Sequence, residues 1–219
     1  MFNKESLLTS LKLFLITAVA ALCLAIVNKI TMPIITENNN TREASAQKEV
    51  LPEAAKFTAL EIPEVEDNSI TIEKMSAGLF EENGSKIAGY VVIAVSNAGY
   101  GGDIKVMVGI DSSLKVTKVK ILESSETAGL GANASKPEFS DQFVGAEGKL
   151  MVVKGVANQN EISAISSATI TSNAVTSCVN AALEVAKTKD SDNKVAETAQ
   201  KLEEIKQETE SQILEERER

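Results

Sequence analysis

The sequence predicts an α+β protein, with one N-terminal membrane-spanning helix followed by an exported domain of antiparallel strands and helices. Three observations carry that expectation. Leu7 to Val27 is an apolar run whose only charge is Lys12, and a helix needs about 20 apolar residues to cross a bilayer core. Between Ile104 and Ile121, two runs of alternating apolar and polar residues flank a short polar turn at Ser112 and Ser113, the pattern of an antiparallel hairpin. From Ser172 onward, Val175, Val179, Ala182 and Ala186 recur at helical spacing, which gives one apolar stripe for packing on a sheet.

The apolar run reads as a retained anchor. A cleaved signal peptide has a shorter apolar region and a small-x-small site, whereas Val27 is followed by NKITMPIITENNN. Cys23 is preceded by the bulky Leu22, which argues against a lipidated N-terminus. Lys4 and Lys12 precede the span and Lys29 and Arg42 follow it, so charge bias nearly cancels. The short N-terminal segment favours an N-inside orientation, with residues 31 to 219 outside the cytosol.

Residues 1–30 are therefore read as the anchor and 31–69 as stalk and linker. The stalk reads as a polar helix that Asn38 to Asn40 could interrupt, and LPEAAKF as the linker. The core is expected to begin near Ile70 and to extend over residues 70–188. KIAGYVVIAVS, from Lys86 to Ser96, is apolar on both faces and rich in Val and Ile, as a doubly covered strand would be. A second short strand is expected through KLMVVKG. KTKDSDNK, from Lys187 to Lys194, reads as a solvated linker. Residues 189–219 form an acidic helical or disordered tail. From Asp190 on there are ten acids and five bases, so residues 190–219 contribute −5 to the net charge of −9. Val195, Ala199, Leu202, Thr209 and Ile213 follow a rough helical spacing there. With few heptads, a frayed amphipathic tail is expected over a coiled coil.

Composition removes several function classes. The chain has no His and only two Cys, so zinc, haem and iron–sulfur sites lack their usual ligands. No metal site is expected. Cys23 lies in the apolar run and Cys178 in a predicted helix, so no disulfide is expected between them. The negative charge argues against nucleic acid, whose phosphates require a basic face.

The densest polar chemistry lies in SAISSATITSNAV, Ser163 to Val175, where Ser166, Ser167, Thr169, Thr171 and Ser172 crowd the start of the helical pattern. Ser and Thr cap helix N-termini, and one hydroxyl suffices for that. The excess suggests an oxyanion, such as a phosphate, at the donor-rich, positive end of the helix.

Three stretches in order carry a family resemblance. AISSATITS resembles the flavinylation motif of the FMN-binding domain family, a Ser or Thr followed by Gly-Ala-Thr. ESSETAGLGANASKPEFSDQF, Glu123 to Phe143, resembles that family's Glu-Thr-Pro-Gly-Leu-Gly segment followed by a Phe…Gln-Phe pair. GYGGDIKVMVGID, Gly99 to Asp111, resembles its Gly-Tyr-Gly-Gly strand opening. With the single span, the chain is similar to the G-subunit family of Rnf complexes from Leu7 to about Lys187. The related C subunit of the sodium-pumping NADH:quinone reductase shares the motif and the span. Ser167 stands where the motif has Gly, Ser163 where Asp is usual, and Ala128 where Pro is usual.

The resemblance implies a fold, a cofactor and partners. FMN would be joined covalently to Thr169 through a phosphodiester, with Ser166, Ser167, Ala168 and Thr171 around it. Glu126, Thr127, Gly129, Leu130 and Gly131 would form the facing loop, with the glycines letting the flavin ring approach closely. The protein would relay electrons within a membrane complex that couples ferredoxin oxidation and NAD reduction to Na+ or H+ transport. It has no complete active site of its own, and no catalytic residues are assigned. Its implied partners are the A, B, C, D and E subunits, a flavin transferase for maturation and membrane lipid. The readings without flavin are a membrane-anchored scaffold whose motif has decayed and an exported binding module.

Overall fold

The computed structural model describes residues 4–63, 69–81 and 86–217. The chain divides into two units, residues 1–45 and 46–219. The first consists of the greater part of α1 (Lys4–Val50). Among the described residues, α1 is the one helix long and apolar enough to cross a membrane. Leu11, Phe14, Leu15, Leu22 and Leu24 are all exposed on it. Large apolar side chains around a whole helix are unfavourable in water and suit lipid. The helix passes through Asn38 to Asn40 without the break that the sequence allows, and through Pro33 as well.

The second unit is built on a five-stranded antiparallel sheet of order β1-β2-β3-β4-β5. Its strands are β1 (Lys56–Ala59), β2 (Ile70–Leu79), β3 (Ile87–Ser96), β4 (Ile104–Asp111) and β5 (Val116–Ser124). The expected hairpin is β4–β5, with Val108 opposite Val119. Its turn is held by Asp111, whose Oδ1 accepts the N–H groups of Ser113 and Lys115.

Both faces of the sheet are covered, which is why β3 reads as apolar throughout. Tyr90, Val92 and Ala94 belong to the main core with Val106, Val108 and the helix that follows the motif. Ala88, Val91 and Ile93 belong to a second core with Met107, Val50, Leu51 and Ala54. The stretch expected to be stalk and linker thus supplies structure. Leu51 and Ala54, within LPEAAKF, are buried, and β1 pairs with β2 ahead of Ile70. Lys118 and Lys120 on β5 both pair with Glu49, and Thr117 Oγ1 donates to the carbonyl of Val50.

After β5 the chain makes a 3-10 turn at Gly131–Ser135, the short helix α2 (Pro137–Ser140) and another 3-10 turn at Asp141–Phe143. Phe139 and Phe143, of the Phe…Gln-Phe pair, are buried edge to face with centroids 5.4 Å apart. Then come β6 (Met151–Val153) and β7 (Glu161–Ser163), which pair in parallel. This parallel pair forms a separate two-stranded sheet beside the antiparallel one. The loop between them bends back through Gly155 (φ 114°) and Asn160 (φ 61°), so both strands run the same way.

α3 (Thr169–Arg217) closes the domain. It starts ahead of the expected Ser172, because Ser172 N–H already bonds the carbonyl of Ala168 at 3.0 Å. Val175, Val179, Ala182 and Ala186 are buried against the sheet, as their spacing predicts. The segment read as a linker, Lys187 to Lys194, continues the helix, since it contains neither Gly nor Pro to stop it. Asn193 Nδ2 donates to the hydroxyl of the buried Tyr90 at 3.2 Å. The stripe from Val195 to Ile213 lies outside the residues whose side chains are described.

Candidate functional site

The hydroxyl run divides its labour. Ser172 is fully buried, and its Oγ accepts the N–H of Ile165 at 2.9 Å while donating to the carbonyl of Ala168 at 3.0 Å. It therefore staples the segment that follows β7 to the first turn of α3. Thr171 is buried and donates to Glu126 Oε2 at 2.8 Å. Ser166 and Ser167 are exposed and Thr169 is half-buried. With Ser172 N–H as the first rung of the ladder, the N–H groups of Thr169, Ile170 and Thr171 have no intrahelical acceptor. They form the donor-rich, positive end of a long helix.

Ser167, where the motif has Gly, sits at φ 61°. That is the left-handed region, which Gly adopts freely and an L-residue occupies at a cost of about 1–2 kcal/mol. The turn keeps its shape despite the substitution because bonds on both sides fix it: Ile165 N–H to Ser172 Oγ, and Ala168 N–H to the carbonyl of Ile165 at 2.9 Å. Ser163, at the other departure, donates its Oγ to the carbonyl of Gly155 at 2.6 Å and its N–H to Gln142 Oε1 at 2.8 Å. The Gln of the Phe…Gln-Phe pair thus positions the strand that leads into the motif.

Glu126 brings the other two stretches to the same place. While Oε2 holds Thr171, Oε1 accepts the N–H of Gly101 at 3.1 Å. A Cβ on Gly131 would lie 2.3 Å from Glu126 Oε2 and 2.6 Å from Thr171 Oγ1, so only Gly lets the loop pass this pair. Gly129 has φ 80° and open space around it; its reason is the turn. The missing Cβ of Gly131 makes room for the carboxylate and Thr171.

These segments enclose a cleft of about 570 Å³ lined by Glu126, Thr127, Leu130, Gly131, Ser167, Ala168, Thr169 and Thr171, all expected from sequence. Ser166 and Gly129 are not in its lining. Tyr100 and Ile170 are, beyond the residues expected from sequence. Each adjoins an expected feature, Tyr100 within GYGG and Ile170 beside Thr169, so proximity in sequence was the available signal. With Leu130 they leave three large apolar side chains exposed at one cleft, Tyr100 the most at 72%. A polar floor at a helix N-terminus under apolar walls suits a ligand with an anionic end and a flat apolar body. A larger cleft of about 650 Å³ lies between the β4–β5 turn and α3, near Lys149 and Lys187; none of the motif residues reaches it. Among the described residues no three His, Cys, Asp or Glu side chains gather as metal ligands.

Residues 99–184, which hold β4, β5, the cleft and the first turns of α3, match the family model of the FMN-binding domain. The G subunit of the Na(+)-translocating ferredoxin:NAD(+) oxidoreductase complex of Acetobacterium woodii is 42% identical over 183 residues, 79% of this chain and 87% of that one. The G subunit of the ion-translocating oxidoreductase complex of Methanosarcina acetivorans is 31% identical over 83% of this chain and 95% of its own. A crystal structure of the C subunit of the Na(+)-translocating NADH-quinone reductase from Parabacteroides distasonis is 22% identical, covers 59% of this chain and 75% of its own, and has a TM-score of 0.43. The chain belongs to the G-subunit family of ion-translocating oxidoreductase complexes.

Proposed function

We propose that this protein is the membrane-anchored electron-transfer subunit of an Rnf-type complex and carries FMN covalently on Thr169. The observation that carries the reading is the convergence of all three motif stretches on one cleft, through the bonds of Glu126 to Thr171 and to Gly101. The family's relatives are named as parts of complexes that couple ferredoxin and NAD(+) to ion translocation. Their names differ in the ion, Na(+) in one and proton in another, so family membership leaves the ion open.

The residues fit the group. The cleft volume is within the range of about 300–1,000 Å³ usual for cofactor sites. The N–H groups of Thr169, Ile170 and Thr171, at the positive end of α3, would hold the phosphodiester. One negative charge there is stabilised by about 0.3–1 kcal/mol at an exposed site. Tyr100, Leu130 and Ile170 would cover the faces of the ring and exclude water from it, while an open mouth leaves an edge accessible. Bound FMN supplies the redox chemistry; the protein binds, orients and shields it. A covalent link suits a domain outside the cytosol, where lost flavin would be hard to replace. We place the domain on that side, with α1 as a single-pass anchor, the other subunits of the complex as partners and a flavin transferase as the maturation enzyme.

The test is Thr169→Val, which keeps shape and β-branching and removes the oxygen. The wild-type chain should fluoresce as flavin after denaturation and carry a peptide mass increment of one FMN less one water on Thr169. The variant should fold and lose both signals. A fluorescent denatured variant would move the acceptor elsewhere.

A further inference from the structure

Thr169 and Thr171 both stand in the first turn of α3, and each has a hydroxyl that could accept a flavin phosphate. We propose that Glu126 is the positioning residue that selects Thr169 as the acceptor and holds its turn in place. The proposal rests on the reading that FMN is carried at Thr169.

Attachment requires the hydroxyl oxygen to attack the phosphorus of an activated flavin phosphate from the open side. The new O–P bond forms, the bond from phosphorus to the leaving group breaks with its electron pair, and the hydroxyl proton passes to solvent. Both threonines line the same cleft, but they differ in how far their hydroxyls are enclosed. Thr169 is half-buried at the cleft. Thr171 is 1% exposed, with its Oγ1 2.8 Å from Glu126 Oε2. The carboxylate could take the Thr171 proton, but no phosphorus can reach so enclosed an oxygen.

The carboxylate itself is not free to turn away. Oε1 accepts the Gly101 N–H at 3.1 Å, and the backbone of Gly131 passes too close to admit a Cβ beside Oε2. One side chain therefore ties the α3 turn to the GYGG and ETAGLG stretches. Tyr100, adjacent to Gly101, lines the same cleft as Thr169. Without Glu126, the first turn loses its lateral anchor and the Thr171 hydroxyl is released to compete.

The experiment uses full-length wild-type, E126Q, E126A and T171V chains made in a cell that flavinylates the wild type. Flavin per chain is read by fluorescence after denaturation and the modified residue by tandem mass spectrometry. E126Q retains an acceptor for Gly101 and an amide that can donate to the Thr171 oxygen, so it should keep near-wild-type label, all on Thr169. E126A should lose label several-fold, with part of the remainder on Thr171. T171V breaks the same bond from the other side with little change in shape. It should lower the label while leaving what remains on Thr169. Wild-type label on Thr169 alone in E126A overturns the proposal. If E126A does not accumulate, wild-type label in T171V overturns it. A wild-type chain labelled elsewhere than Thr169 refutes the underlying reading, a separate outcome.

Discussion

Ile165 and Ser172 face each other across the turn that opens α3, the backbone N–H of the first donating to the Oγ of the second at 2.9 Å. Ser172 is fully buried, so this bond is sheltered from water and closes the loop formed by Ser166, Ser167 and Ala168. The residue most strained by that closure is Ser167, at φ 61°.

Ser167→Gly should relieve the strain. The left-handed conformation penalises an L-residue by about 1–2 kcal/mol, and the extra freedom of Gly in the unfolded chain returns part of that. A net gain of about 0.5–1 kcal/mol is expected, visible as a melting temperature higher by a few degrees. Flavin attachment should be unchanged or faster, because the family's motif has Gly at this position. A lower melting temperature would mean that the Ser167 side chain contributes more than its backbone costs.

Gly131→Ala tests the closeness of the loop to its carboxylate. The new methyl would stand 2.3 Å from Glu126 Oε2 and 2.6 Å from Thr171 Oγ1, so one of them must move. Overpacking of this kind costs about 1–3 kcal/mol. Combined with E126A the cost should shrink, because the nearer of the two atoms it collides with is gone, and a double-mutant cycle should show coupling of at least about 0.5 kcal/mol. Additive effects would show that the loop relaxes without disturbing Glu126.

The sequence made the sheet and the buried helix face legible because each repeats a period: Ile104, Val106 and Val108 at two, Val175, Val179 and Ala186 at helical spacing. It also named eight of the residues that line the cleft, since those lie in motifs. What it missed depends on distant contacts. LPEAAKF looks like a linker until Leu51 and Ala54 are seen beneath the second face of the sheet. The direction of β7 depends on loop residues with positive φ, Gly155 and Asn160, which a short strand's own pattern does not reveal. The role of Glu126 required knowing that Gly101 and Thr171, far away in sequence on either side, meet at its two oxygens.

Glu49 gives the domain an acid-sensitive contact. Hydrogen bonding from Lys118, and then from Lys120, holds its carboxyl below the usual carboxylate range. A depressed folded-state pKa contributes stability that is present above the unfolded value, near 4.3, and is lost as pH falls through the folded value. The three side chains are each about 40% exposed, so solvent screening limits the contribution to about 0.5–1 kcal/mol. Glu49→Gln should therefore destabilise by that amount at pH 7 and by less and less below about pH 4. An equal loss at pH 7 and pH 3 in denaturant melts would show that the effect is packing rather than charge.

Topology is testable at Val156, the most exposed large apolar side chain among the described residues at 93%. Cys178 is buried and Cys23 lies in the apolar helix, so Val156→Cys should be the site that a membrane-impermeant thiol reagent reaches first. If residues 31–219 lie outside the cytosol, labelling should occur in intact cells and increase little on lysis. Labelling only after lysis would put the domain on the cytosolic side.

Near the end of the described part of α3, the Asn193 amide reaches the hydroxyl of Tyr90 on the central strand β3. Truncation after Asn193 removes most of the acidic tail and leaves this bond, the buried face of α3 and all three motif stretches in place. Folding stability and flavin attachment should both survive, which makes residues 194–219 dispensable for maturation. Truncation after Thr188 removes the Asn193 amide as well, at a cost of about 1 kcal/mol for one hydrogen bond, and should lower the melting temperature slightly while flavin attachment persists. If the longer truncation folds yet carries no flavin, the tail takes part in presenting the domain to its transferase, and the functional unit extends beyond the helix face that packs on the sheet.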